Sequence, residues 1–268
     1  MPKVVFWSPV ATSIGQTHAS IAISTLMAIE EDYSNLLLHG HWQAKKIESS
    51  FTNYDALKEQ NVFNTSSIGI TALSRLVESN KLTPESIRNY AKPVLKQRLD
   101  IMYGTNVASR EQFNQLTTTF PMVIQKASET YDLVWVDSPK GEEKDYILEI
   151  LEKADYIICT INQESVNLDE VMKKYLDNTI IKNKPKMILM CNYEQKSKYN
   201  IPNIRRKYGI KEKIHAIPNN YIFTDACNDG SVVDFFYKNL GADKYDYNGY
   251  FITETREVIK TIKESIKI

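Results

Sequence analysis

The chain is 268 residues long and carries 33 basic and 33 acidic side chains, for a formal net charge of zero. That length fits one large α/β domain or two small ones, and a balanced charge gives the whole-molecule field no pull on nucleic acid. Three cysteines (Cys159, Cys191 and Cys227), odd in number and without C-x-x-C spacing, argue against a disulfide framework or a zinc site and suit a reducing cytoplasm.

The opening "MPKVVFWSP" holds an apolar run too short for a signal peptide, and no later stretch approaches the roughly 20 apolar residues of a membrane span. Seven short runs rich in Val, Ile and Leu read as strands: 4–7, 35–41, 99–104, 131–137, 155–162, 186–192 and 213–218. Continuous apolar runs of this kind suit strands buried on both faces, as in parallel sheets. Helical patterns fall between them, at 17–31, 68–80, 83–99, 109–130, 143–154 and 167–180. Thr83 followed by Pro84 and Glu85 is a good helix start. The alternation predicts an α/β fold: a doubly wound, mostly parallel sheet with helices on both faces and right-handed crossovers. The spacing predicts one domain over 1–268. The closing "FITETREVIKTIKESIKI" is amphipathic, with Val258, Ile259, Ile262, Ile266 and Ile268 on one side. It reads as a final helix packed on the sheet, with a membrane-surface helix as the alternative.

The first strand runs into "PVATSIGQTHASIAIS", which has the outline of a phosphate loop. Such a loop needs converging backbone amides, a following helix N-terminus and a Ser or Thr for magnesium. Gly15 permits close backbone approach, and Thr17 stands at the magnesium-ligand position. In the G-x-x-x-x-G-K-[ST] pattern, however, the first Gly is Val10 and the Lys is Gln16. A cation about 4 Å from a phosphate oxygen is worth on the order of 4 kcal/mol at an effective dielectric near 20, so its loss weakens both binding and transition-state stabilisation. Taken alone, the motif also fits a plain strand–helix turn.

A second stretch is more specific. In "YDLVWVDSPKGEEKDYILEILEKADYIICTINQE" a strand ends in Asp137, a tight "SPKG" turn follows, then a helix and another strand. This resembles the switch region of the ParA/MinD superfamily of P-loop ATPases, where "DSPAG" or a close variant holds the magnesium water and senses the γ-phosphate. The similarity spans most of the chain. "CNYEQ" (191–195) and "AIPNNYIFTDACNDGSVVDFF" (216–236) resemble the family's base-pocket segments, which makes Asn192, Pro218 and Asn219 the base-side candidates; by itself Asn192 also reads as a turn residue at a strand end. "ATSIGQT" then matches the family's "KGGxGKT", so Ala11 stands at the signature-lysine position and Gln16 at the second lysine.

The resemblance implies ATP and Mg as cofactors. The amides of Ser13, Ile14, Gly15, Gln16, Thr17 and His18 would cradle phosphate, with Thr17 on the metal and Asp137 holding it through water. The family's "DxD" after the second strand is replaced by His39 and His41, which alternation puts on one side of the strand. A His-x-His pair can bind metal, though no third ligand is in reach by sequence; His41 can also serve as a base. Within the superfamily the pattern looks most like the atypical TadZ/CpaE-type pilus-assembly proteins. That implies a cytoplasmic factor acting at the cell pole with pilus or secretion-system partners. Three functional readings follow: a slow or inactive ATP-binding localisation factor, a scaffold that binds no nucleotide, and an ATPase with rearranged chemistry using His41 and Lys140. With Ala11 in place of the dimer-bridging lysine, a homodimer through surface helices is the remaining mode. No nucleic-acid partner is expected, and the basic run 203–213 reads as a solvated surface.

Overall fold

The structure is a computed structural model that describes residues 1–11, 14–42, 46–52, 68–105, 107–141 and 145–268. The strands are β1 (Lys3–Trp7), β2 (Asn35–His39), β3 (Lys92–Leu95), β4 (Leu99–Met102), β5 (Leu133–Asp137), β6 (Tyr156–Ile161), β7 (Lys186–Tyr193) and β8 (Ile214–Pro218). They form one sheet in the order β3-β4-β2-β5-β1-β6-β7-β8, parallel at every pairing except the antiparallel β3–β4 edge. The doubly wound, mostly parallel architecture read from the apolar runs is therefore present.

Each apolar run is two interleaved half-strands. In β1, Val5 and Trp7 enter one core while Val4 and Phe6 enter the other. In β5, Val134 and Val136 part from Leu133 and Trp135 in the same way. A strand with no solvent face has no use for alternate polar residues. The buried indoles still need partners for their N–H groups. Trp135 Nε1 donates to Asn35 Oδ1 (3.1 Å) and Trp7 Nε1 to the Gly141 carbonyl (3.0 Å).

One face carries α3 (Gly69–Glu78), α4 (Pro84–Tyr90), α5 (Arg110–Leu116), α6 (Thr119–Ala127), α7 (Asp145–Lys153), α8 (Ser165–Asp177) and α9 (Ile201–Tyr208). The other carries α1 (Gln16–Glu30), α2 (Lys46–Ser50), α10 (Tyr221–Asp229), α11 (Val232–Asn239) and α12 (Tyr247–Ile266). The β1-to-β2 crossover moves one way along the sheet through α1. The crossovers from β4 to β5, β5 to β6, β6 to β7 and β7 to β8 move the other way on the opposite face. Reversing both direction and face keeps one hand. It also opens a crevice at the carboxyl ends of the central strands, where the direction switches.

Three expectations change in detail. The helical pattern 83–99 ends at Tyr90, and Lys92–Leu95 is the edge strand β3. Pro93 explains this: it lacks an N–H, and it pushes Lys92 out of the helical region. Proline is tolerated on an edge, where it also discourages further pairing. The pattern 109–130 divides into α5 and α6 at the β-branched run Thr117–Thr119. The closing helix begins earlier, at Tyr247; Val258, Ile259 and Ile262 are buried against the sheet, and Ile266 and Ile268 pack at its margin. No described helix is long and apolar enough to cross a membrane.

His39, at the end of β2, is buried. Its Nε2 lies 3.0 Å from Glu48 Oε1 on α2, which also accepts from the Gly104 amide (2.9 Å). Gly104 has no room for a side chain, since a Cβ there would sit 2.3 Å from His39 Cε1. Burial disfavours both charges, but the partners prevail: Glu48 and Asp137 raise the His39 pKa above 6.5, and His39 with Gly104 lowers that of Glu48 below 4.5. The raised histidine stabilises fully below pH 6.5 and loses that contribution as pH climbs through its folded value. The lowered glutamate stabilises fully above pH 4.5 and loses its contribution on acidification. Glu48→Gln should therefore cost about 1–3 kcal/mol inside that window and flatten the pH profile of urea unfolding. An unchanged profile would show that the pair contributes nothing.

Candidate nucleotide-binding site

Three chain segments meet at the crevice: the loop from β1 to α1, the turn after β2, and the Ser138–Gly141 turn after β5. Backbone bonds lock them together. Gly141 donates to the Ser8 carbonyl (2.8 Å), Ser138 to Phe6 (3.0 Å) and Gly40 to Asp137 (3.2 Å).

Asp137 is the centre of the arrangement. It closes β5, flanked in register by Phe6 of β1 and His39 of β2, and it has no solvent exposure. Helix α1 enters alongside and aims its first two side chains at this carboxylate. Gln16 Nε2 donates to Asp137 Oδ1 (2.7 Å) and to the Ser138 carbonyl (2.7 Å). Thr17 Oγ1 donates to Asp137 Oδ2 (2.7 Å). His41 Nε2 stands 3.2 Å from Asp137 Oδ2, an ion-pair distance when the ring is protonated. Burial alone would drive the Asp137 pKa up; His41, Thr17 and Gln16 together hold it below the ordinary carboxylate value.

Gln16 is thus fully engaged. It is 1 % exposed, and both its amide hydrogens are used. Its Oε1 faces Thr160 Oγ1 of β6 (2.9 Å), whose single proton is shared between Gln16 Oε1 and the Trp7 carbonyl (3.1 Å). In this arrangement it offers no donor to a phosphate and acts instead as a neutral strut under the loop. Thr160 escaped the sequence reading, although a threonine inside the apolar run "YIICTI" was a visible signal. Glu48 carried no such signal.

The remaining predicted residues are distributed as follows. Gly15 takes a left-handed conformation (φ 82°) at the start of α1, and an added Cβ would lie 2.8 Å from the Asn192 side chain. Asn192, itself left-handed (φ 52°) and exposed at the end of β7, therefore reaches across β6 to the loop. Pro218 pairs in register with Tyr193, and Asn219 donates to the Tyr193 carbonyl (3.1 Å), so the base-side candidates gather at one end of β7 and β8. Ile14 is buried. The His18 ring turns away and packs edge-on against Phe223 of α10 at 6.2 Å. Burial, then Lys46, lowers its pKa to about 4. Ser13 lies outside the described residues. His39 and His41 do stack on one side of the strand, 5.8 Å between centroids, but they serve different carboxylates. No group of three metal-ligating side chains occurs among the described residues.

A cleft of about 700 Å³ opens beside Ala11, Thr17, His41 and Lys140. Burial lowers the Lys140 pKa, against the pull of Asp137. A hydroxyl and a carboxylate at 2.7 Å by the cleft, two residues on from a glycine whose space a Cβ would fill, are a donor set suited to magnesium and a phosphate.

Family models and curated proteins give no match to this sequence. Solved structures do. MinD from Pyrococcus horikoshii OT3, complexed with Mg-ADP, superposes with a TM-score of 0.70 at 16 % identity over 100 % of both chains. A ParA family ATPase from Chlorobium tepidum TLS gives 0.68 at 15 % identity, covering 94 % of this chain and 97 % of that one. A putative plasmid partition protein from Borrelia burgdorferi B31, bound to AMPPNP, gives 0.66 at 16 % identity over 100 % of both. The fold is that of the ParA/MinD P-loop proteins.

The geometry makes Gln16 more important to stability than Thr17. Gln16→Leu strips partners from Asp137, the Ser138 carbonyl and Thr160 at nearly constant volume, and should cost about 3 kcal/mol in urea unfolding. Thr17→Val should cost about 1 kcal/mol. Equal losses would mean that the buried carboxylate does not rely on the glutamine.

Proposed function

We propose that the chain is an atypical ParA/MinD-like ATP-binding protein with slow or no hydrolysis. The observation that carries this reading is the survival of Gly15, Thr17 and Asp137 as one connected unit, with Thr17 Oγ1 2.7 Å from the carboxylate. Thr17, and Asp137 through water, would hold magnesium, whose charge offsets that of the phosphates. The amides from Ser13 to His18 would supply the cradle, and Asn192, Pro218 and Asn219 the base side. His41, 3.2 Å from Asp137, takes the part of an electrostatic partner rather than a base, because its nearest acceptor is the buried carboxylate. With Ala11 and Gln16 at both lysine positions, catalysis lacks the cations that developing phosphate charge requires.

The role that goes with this chemistry is subcellular localisation: a cytoplasmic factor, polar in placement, for assembly of a pilus or secretion apparatus. Its support is the resemblance of the "WSP" opening, the histidine after β2 and "LEKADYIICTINQE" to the TadZ/CpaE-type proteins. Domain extent 1–268 and a homodimer through surface helices belong to the same reading. A scaffold that binds no nucleotide is the second reading, favoured by one observation: both Gln16 amide hydrogens are engaged by the protein itself.

Thermal unfolding with Mg-ATP separates the two. A native-state ligand at 100 times its Kd adds about 2.7 kcal/mol, so the wild-type melting temperature should rise with millimolar Mg-ATP. Thr17→Val should reduce the magnesium-dependent part of the affinity at least about tenfold by calorimetry. An unmoved wild-type melting temperature selects the scaffold.

A further inference from the structure

The cleft beside Thr17 is more than a terminal phosphate needs. The base-side candidates sit beyond β6, at the ends of β7 and β8, and none of them lines it. The cleft extends past the turns after β2 and β5 to α5, α7 and α8. A nucleotide bound as proposed above would put only its last phosphate there.

The outer half has a composition of its own. The Trp42 ring lies 6.5 Å from Phe113, tilted, and the run of ring contacts continues inward through Phe120 to Tyr146 at 6.1 and 6.0 Å. The Trp42 backbone is pinned by a bridge to Thr105, so the wall is anchored just past the carboxyl ends of β2 and β4. The Arg110 guanidinium rides 5.3 Å over the Trp42 ring, which pre-orients its donor fork. Lys140 and Lys174 add positive charge, the latter shared with Glu170 of α8 at 2.8 Å, and among the described residues no Asp or Glu lines the cleft. The buried Trp42 Nε1 finds no acceptor among the described residues. Aromatic walls, a positive lining led by Arg110 and a waiting N–H suit a planar, negatively charged molecule.

We propose that this outer half, walled by Trp42, Phe113 and Tyr146 and charged by Arg110, Lys140 and Lys174, is a second binding site for a small planar organic anion lying beside the nucleotide's terminal phosphate. Its position next to that phosphate rests on the nucleotide reading; its walls and charge do not.

The test is calorimetric titration of the full chain with isophthalate, followed in parallel by tryptophan emission. Trp7 is buried but bonded to Gly141 of the cleft lining, so the Trp42→Phe variant is what assigns an emission change to Trp42. Isophthalate should bind once per chain and shift that emission. Arg110→Gln should weaken it at least about tenfold, the loss of one charge-assisted contact, while leaving Mg-ATP affinity unchanged. Trp42→Phe should keep binding but abolish the emission change, and the uncharged isophthalamide should not bind. No isophthalate binding at millimolar concentration, equal binding by Arg110→Gln, or equal binding of isophthalamide would overturn the proposal. Isophthalate binding without Mg-ATP binding would remove the nucleotide reading and leave this site standing. Mg-ATP binding alone would do the reverse.

Discussion

The buried carboxylate of Asp137 organises everything around the crevice. Removing an anion from water costs several kcal/mol unless donors surround it. Here α1 supplies two donors through Gln16 and Thr17, and the turn after β2 supplies His41. Satisfying one group therefore fixes the entry of the first helix and the path of the β2 turn. Through the shared Gln16 amide it also fixes the Ser138 carbonyl and Thr160. A lysine at position 16 would bring a fixed positive charge to this carboxylate. Glutamine brings none, and it ties the same group down by geometry alone. The result is a site fully partnered in its interior, without a lysine at positions 11 or 16 of its loop, and with Arg110, Lys140 and Lys174 on the walls of the cleft.

The sheet topology is what brings these groups within reach. Asp137 and Gln16 are 121 residues apart, and Gln16 and Thr160 are 144 apart. Because β5 lies between β1 and β2, and β6 on the far side of β1, the carboxyl ends of four strands converge there. The shared architecture with MinD and ParA structures at 15–16 % identity shows how little of the fold requires particular side chains. Apolar residues on both faces of each strand and one consistent crossover hand are sufficient to specify it.

Much of this was readable in advance. The strands at β1, β5 and β6 announced themselves because a strand covered on both sides must be apolar at every position. Asp137 stood out for the complementary reason: a charge directly after "LVWV" has to be either functional or fully partnered. The edge strand β3 was lost inside a helical pattern, since Pro93 breaks a helix without revealing that the next residues pair with β4. The cleft wall was equally hidden, because Trp42, Arg110 and Tyr146 share no local pattern and meet only across three elements.

Periodicity and motif order thus settled the class of fold, the position of the loop and the acid that faces it, because those follow from local rules that neighbouring residues obey. What Gln16 does, which carboxylate each histidine serves, and where the cations gather were decided by folding. Each is a question of which distant groups share a desolvated space, and a linear chain carries no record of the distances that desolvation makes decisive.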